Sequence, residues 1–261
     1  MTPTWFTGFQ YGLATPVTLG GGICDVASGV AGTITIASSP MRASSYAFRI
    51  NTTAQAAYIQ KTLTAADYQV GSIYIRFASL PTGGTVFIGA RVPTDNAMQI
   101  RFNSVDGKIY AGKESIGDCA TGYTVSANTT YRIDYRFFVA STTHTAEWSV
   151  DGVAQSTYSV SGRTSTQFNA LRLGVVTSTL DLYYGDVLVS ATSGDYPIGP
   201  HQIVGLRPNA EGTHNNAANV LEDISGNDID GSTYLAYSYL DEDPWTSSAT
   251  TDLIRQATIG T

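Results

Sequence analysis

From Tyr131 to Val153 the chain reads YRIDYRFFVASTTHTAEWSVDGV, and the alternation in this stretch decides the fold class. Tyr131, Ile133, Tyr135 and Phe137 fall on one side of an extended backbone, with Arg132, Asp134 and Arg136 on the other. Successive side chains of a strand point to opposite faces, so such a run buries one face and wets the other. Ala146, Trp148 and Val150 repeat the pattern against Glu147 and Ser149. Ser141-Thr142-Thr143 separates the two runs. Asp151-Gly152 ends the second with residues that tolerate positive φ, which predicts a hairpin turn.

The same period extends outward, from about Thr33 to Val189. Tyr46, Phe48 and Ile50 oppose Arg49, and Ile73, Ile75 and Phe77 alternate with Tyr74 and Arg76. Val86, Ile88, Ala90 and Val92 alternate with Phe87 and Arg91, and Met98, Ile100 and Phe102 flank Arg101. Leu171, Leu173 and Val175, then Leu180, Leu182 and Tyr184, close the series. Asp106-Gly107 predicts a second hairpin, and Pro81-Thr82-Gly83-Gly84 another break. No segment carries a helical apolar stripe; Leu63 to Tyr68 is the one place where a short helical turn is expected. Many short strands with one apolar face each predict an all-β, two-sheet antiparallel jelly-roll sandwich. Residues 31–200 are assigned to that sandwich, 1–30 to an N-terminal arm and 201–261 to an acidic C-terminal extension. Gln202 to Leu206 is expected to add a last strand.

Composition narrows the partners. Charged residues are 13% of the chain, about half the usual share of roughly 25%. The formal net charge of −7 argues against nucleic acid and against an anionic membrane surface, which both call for clustered Lys and Arg. Beyond Arg207 the only basic residue is Arg255, while Glu222, Asp223, Asp228, Asp230, Asp241, Glu242 and Asp243 lie there. No apolar run approaches the ~20 residues that span a bilayer as a helix. The N-terminus reads without the succession of an export signal, so Cys24 and Cys119 are expected as free thiols.

Residues for chemistry are sparse. Paired carboxylates that cleave a glycosidic bond must face one another across it. Glu147 and Asp151 come nearest, but Asp151 belongs to the hairpin turn. His144, His201 and His214 lack zinc-binding spacing and read as surface or turn histidines. The loop with Asp223, Ser225, Asn227, Asp228 and Asp230-Gly231 is rich in oxygen ligands. Yet Gly226 sits where a ligand should be, and no Glu follows at the twelfth position of a calcium loop. No catalytic residue, metal ligand or cofactor is assigned, and calcium stays open. Trp148 reads as core. Aromatic residues concentrate at the ends instead: Trp5, Phe6 and Phe9, and later Tyr234, Tyr237, Tyr239, Pro244 and Trp245. They either dock on a partner, as Trp and Tyr do at interfaces, or fold back on their own domain.

Across roughly Thr33 to Pro200 the strands and turns resemble the concanavalin A-like, or laminin G-like, jelly roll, with Tyr131 to Val153 the strongest stretch. Asp186-Val187-Leu188-Val189, Ile203 to Pro208, Ala210 to His214 and Asp241 to Trp245 resemble tailed-bacteriophage virion proteins with such a body and a C-terminal extension. That likeness implies a non-enzymatic particle component, a capsid decoration or a part of the tail or its fibres. It would be assembled in the host cytoplasm and would meet other virion proteins, or copies of itself, through its terminal segments. The fold alone implies another reading, a carbohydrate-binding module that touches surface glycans. A glycoside hydrolase is the third.

Overall fold

The computed structural model describes residues 3–7, 24–30, 33–38, 40–41, 46–92, 95–113, 116–162 and 167–203. Their strands, in chain order, are β1 (Trp5–Thr7), β2 (Val26–Gly29), β3 (Ile34–Ser38), β4 (Tyr46–Thr52), β5 (Ala57–Ala66) and β6 (Tyr68–Ser79). Next come β7 (Thr85–Val92), β8 (Asp95–Asn103), β9 (Lys108–Lys113), β10 (Gly117–Asp118), β11 (Tyr123–Thr124) and β12 (Thr130–Ala140). The series ends with β13 (Thr143–Val150), β14 (Val153–Ala154), β15 (Tyr158–Val160), β16 (Phe168–Val175) and β17 (Leu180–Ser190), then one 3₁₀ turn at Ser193–Asp195.

These strands form two antiparallel sheets. One is ordered β14-β13-β12-β6-β17-β4-β3, with β1 added to β17 and β15 to β13; we call it the nine-stranded sheet. The other, eight-stranded, is ordered β10-β9-β8-β7-β16-β5-β2, with β11 on β9. The architecture is a jelly-roll sandwich. The chain crosses between the layers several times, and the runs β7 to β11 and β12 to β15 each stay within one sheet; β5 and β6 are separated by Asp67 alone yet belong to opposite layers. The helical turn expected at Leu63 to Tyr68 is therefore absent. The alternation of β5 runs on to Ala66, where pairing with Phe168 of β16 satisfies its backbone.

The alternating residues fill the space between the layers. Phe48, Ile73, Phe77, Ile100, Ile133, Phe137, Trp148, Leu173 and Leu182 are all buried. Trp148 donates its indole N–H to the Ser156 carbonyl at 3.0 Å, so its polar edge is satisfied inside the core. Phe87 departs from the expected alternation. A register shift between Val86 and Ile88 in the β7–β8 pairing turns both Phe87 and Ile88 inward, while Val86 is only half-buried. Phe87 then meets Phe77 edge-on, with centroids 5.5 Å apart.

β1 and β2 lie within residues 1–30 and are edge strands of the two sheets. Trp5, Phe6 and Thr7 pair with Val189, Leu188 and Val187, and Trp5 is buried in the core cluster. Val26–Gly29 pairs with β5. Gln202 and Ile203 carry no strand, and residues 204–206 of the expected last strand lie outside the described residues.

Two buried tyrosines of the core make a matched test. The Tyr184 hydroxyl donates to the Phe87 carbonyl at 2.8 Å, whereas the Tyr135 hydroxyl is buried with no hydrogen-bond partner. Burial pushes both phenols up. An orphaned buried hydroxyl destabilises, and losing a made hydrogen bond costs more than losing an unmade one. In urea denaturation, Tyr184→Phe should lose about 1 kcal/mol, while Tyr135→Phe should be neutral or stabilising.

Candidate functional site

The two outer faces of the sandwich differ in what lies over them. On the nine-stranded sheet, Arg132, Asp134 and Arg136 of β12 point away from the core, as their alternation requires, but Arg132 and Asp134 are buried there and Arg136 is only half-exposed. Asp134 is 0% exposed. Its carboxylate accepts from Arg132 Nε at 2.9 Å and from the Gly199 backbone N–H at 3.2 Å. Arg136 donates Nε to Glu147 at 2.9 Å and reaches the carbonyl and hydroxyl of Ser193, both at 3.3 Å. Its guanidinium also lies over the Tyr196 ring, 5.3 Å from the centroid. Residues 191–203 thus strap this face. His201 holds the strap's end, its Nε2 2.7 Å from the Asp186 carbonyl and its Nδ1 3.1 Å from that of Gly199. Burial lowers the pKa of Arg132, but the hydrogen bond and charge of Asp134 outweigh that and leave it raised.

The outer face of the eight-stranded sheet carries a different set. The register aligns Val26, Gln60, Arg172, Gly89, Gln99, Gly112 and Asp118 in one row across seven strands. At one end Arg101 clasps Asp118 through two contacts, one of 2.6 Å from Nε, and that pair raises the pKa of Arg101. Close by, Tyr110 donates to the Asp106 carboxylate, which pushes its phenol up to about 12. Toward the other end a cleft of ≈ 160 Å³ opens between Gln60, Thr62, Arg91, Val92, Asn169, Ala170 and Arg172. Three strands supply it: β5, β16 and β7. Arg172 opposes both Gln60 and Gly89, and Arg91 lies one row further along, opposite Ala170.

Arg172 is held in a defined plane. Its guanidinium carbon sits 4.2 Å from the centroid of the Tyr58 ring, and its Nη2 donates to Gln60 Oε1 at 3.1 Å. Ring stacking and a neutral amide orient the fork. Among the described residues the cleft is lined by two guanidiniums, two amides and a hydroxyl, and by no carboxylate.

The residues singled out in the sequence fall elsewhere. Glu147 lies under Arg136, and Asp151 accepts from the Arg132 backbone N–H at 2.8 Å inside its turn; they do not form a facing acid pair. His144, expected at the surface or in a turn, is buried, because β15 pairs alongside it through Val160. His201 is only half-buried and tied to the strap, and His214 lies outside the described residues. Cys24 and Cys119 are free thiols, both buried; burial pushes the Cys24 thiol up, and Asp25 adds to it. Among the described residues no group of His, Cys, Asp and Glu could hold a metal ion. The loop from Asp223 to Gly231 lies outside them, as do Phe9, Tyr234, Tyr237, Tyr239, Pro244 and Trp245, and of Phe6 only the strand position is described. Sequence reading marked Arg91 as outward and passed over Gln60, Asn169 and Arg172. Nothing local in the sequence tells that β5, β16 and β7 are neighbours.

No protein-family model and no curated protein matches the chain. Solved structures do. A sialidase matches at 11% identity and a TM-score of 0.48, over 70% of this chain and 20% of that one. The receptor-binding domain of botulinum neurotoxin type G matches at 12% identity and 0.45, over 80% and 54%. Domain 4 of a GH43 extracellular arabinanase from Geobacillus stearothermophilus, solved in complex with arabinotriose, matches at 17% and 0.41, over 62% and 77%. The chain spans about half or less of the first two.

Proposed function

We propose that the chain is a non-catalytic carbohydrate-binding module that receives sugar on the outer face of its eight-stranded sheet. The observation that carries this reading is the cleft between Arg91 and Arg172. It combines forked donors, amides and a hydroxyl on three paired strands, where backbone hydrogen bonds fix their spacing. Sugars present closely spaced hydroxyls that both donate and accept, and planar side chains of this kind match them. The opposite outer face is occupied by the strap of residues 191–203, so ligand is assigned to the face that carries the cleft. A virion setting, implied by the sequence resemblance, is compatible with such a module when the cleft points away from the particle; immunogold labelling of purified phage would test that placement.

The test of the binding reading is a glycan array probed with the full chain, with and without calcium. Binding should appear without added calcium and should be weakened by Arg172→Gln. An array with no hits in either condition removes the reading. Products released from any bound oligosaccharide would turn it toward hydrolysis. In that case Glu147→Gln should leave the activity intact, since Glu147 is engaged by Arg136 on the strapped face, away from the cleft.

A further inference from the structure

We infer that residues 191–203 are a reversible lid, and that the face they close is a second seat for a neutral sugar, separate from the cleft. None of these residues lies in a strand, and every one is half-buried or exposed. The strap is held instead by scattered polar contacts. Gly199 donates to Asp134 at 3.2 Å, Arg136 reaches Ser193 at 3.3 Å and the Ile203 N–H reaches the Asp186 carboxylate at 3.3 Å. Tyr196 adds its ring against Arg136, and His201 its two carbonyl contacts. A segment with few buried apolar contacts and no strand ladder opens at a free energy well below that of the whole domain.

The floor suits such an opening. Cross-strand register sets Ser72, Asp134 and Ser149 side by side on β6, β12 and β13, with Val70, Arg136 and Glu147 in the next row. A permanent cover over these positions would be stabilised more by apolar side chains than by a buried ion pair. Instead Asp134 and Ser72 are fully buried there, and the Ser72 hydroxyl finds no hydrogen-bond partner among the described residues. Lifting the strap hydrates these groups and exposes no core side chain, so both surfaces are at ease in water. Once uncovered, the guanidiniums of Arg132 and Arg136 are balanced by the carboxylates of Asp134 and Glu147. A face with donors, acceptors and no net charge fits a neutral ligand that does both, as sugar hydroxyls do.

The experiment places a thiol under the lid with Ser72→Cys and, as the reference for global unfolding, one on the core face of β13 with Ala146→Cys. Thiol labelling of the full chain in native buffer is read site by site by mass spectrometry, so that Cys24 and Cys119 are counted apart. Position 72 should label at least about tenfold faster than position 146, because the lid opens before the core does. Its rate should change little in low urea, since opening exposes little surface, whereas the rate at 146 should climb. Tyr196→Ala and His201→Ala each remove one tie and should each speed labelling at 72. Binding to an array of neutral hexose, pentose and N-acetylhexosamine oligomers, read as a concentration series, should tighten by the same factor, because both observables scale with the fraction of open molecules. Thermal melts confirm folding, and His201→Ala carries the test where Tyr196→Ala fails to fold. Positions 72 and 146 that label alike in rate and in urea dependence overturn the lid. Faster labelling with no tighter binding overturns the seat. The cleft and this face fail separately: hits abolished by Arg172→Gln in every strap variant overturn the second seat and leave the cleft standing, whereas hits confined to the loosened variants and indifferent to Arg172→Gln do the reverse.

Discussion

Gly71→Ala should lower the stability of the sandwich by about 3 kcal/mol, near the upper end of ordinary overpacking. Gly71 faces the core directly opposite Tyr135, and a Cβ built there would lie 2.3 Å from that ring's Cζ and 2.4 Å from its hydroxyl oxygen. The ring cannot swing aside, because it stacks on Phe137 at a 4.5 Å centroid separation and is 0% exposed. For a domain of this size the loss corresponds to a fall in melting temperature of roughly 10 °C. Gly83→Ala is the control, since its Cβ would meet nothing within 4 Å. In the Gly71→Ala background, shortening the opposing side chain with Tyr135→Leu should recover part of the loss, which a double-mutant cycle would read as positive coupling. A Gly71→Ala protein that melts with the parent would mean the ring is not packed as described.

Asp134→Ala should be at least as damaging, at about 3–5 kcal/mol. The carboxylate removed is fully buried and compensates Arg132, whose side chain is 11% exposed. Without it a guanidinium stays in a dry place with its counter-charge gone, and the Gly199 N–H loses its acceptor. The strap should loosen as well, so limited proteolysis should cut first within residues 191–203. Asp118→Ala is the contrast. That carboxylate is also clasped by an arginine, but the pair is wetter, at 30% and 16% exposure, and its loss should cost no more than about 1 kcal/mol. Equal effects of the two substitutions would show that the face under the strap is open to water after all.

The sandwich was legible because alternation and turn residues are local signals. Asp151 at φ 50° and Gly152 at φ 84° make the two-residue turn that their identities predict. Asp106-Gly107 is less simple: Asn103 pairs with Lys108, so the dipeptide ends a four-residue loop. Ser141 adopts φ 55° in a turn as tight as the first, because Ala140 and Thr143 are already paired across it, and its sequence gives no hint of that. Period-two patterning says which way a side chain points but not what lies over it. Asp134 therefore read as solvated, though residues some sixty positions later cover it. The cleft failed to show for a related reason: Arg172 and Gln60 touch across 112 residues of sequence. Sheet order, which no single segment encodes, brings them together.

The size of the cleft has a bearing on how such a protein would work. At ≈ 160 Å³ it is about half the smallest ordinary small-molecule site, of roughly 300 Å³. It can therefore enclose little more than the end of a chain and make only a handful of contacts. Grip on a surface would have to come from many copies engaging at once, where linked sites can raise avidity by about 10²–10⁴ without any new contact. A receptor of this kind is weak singly, releases easily, and becomes tenacious in a crowd.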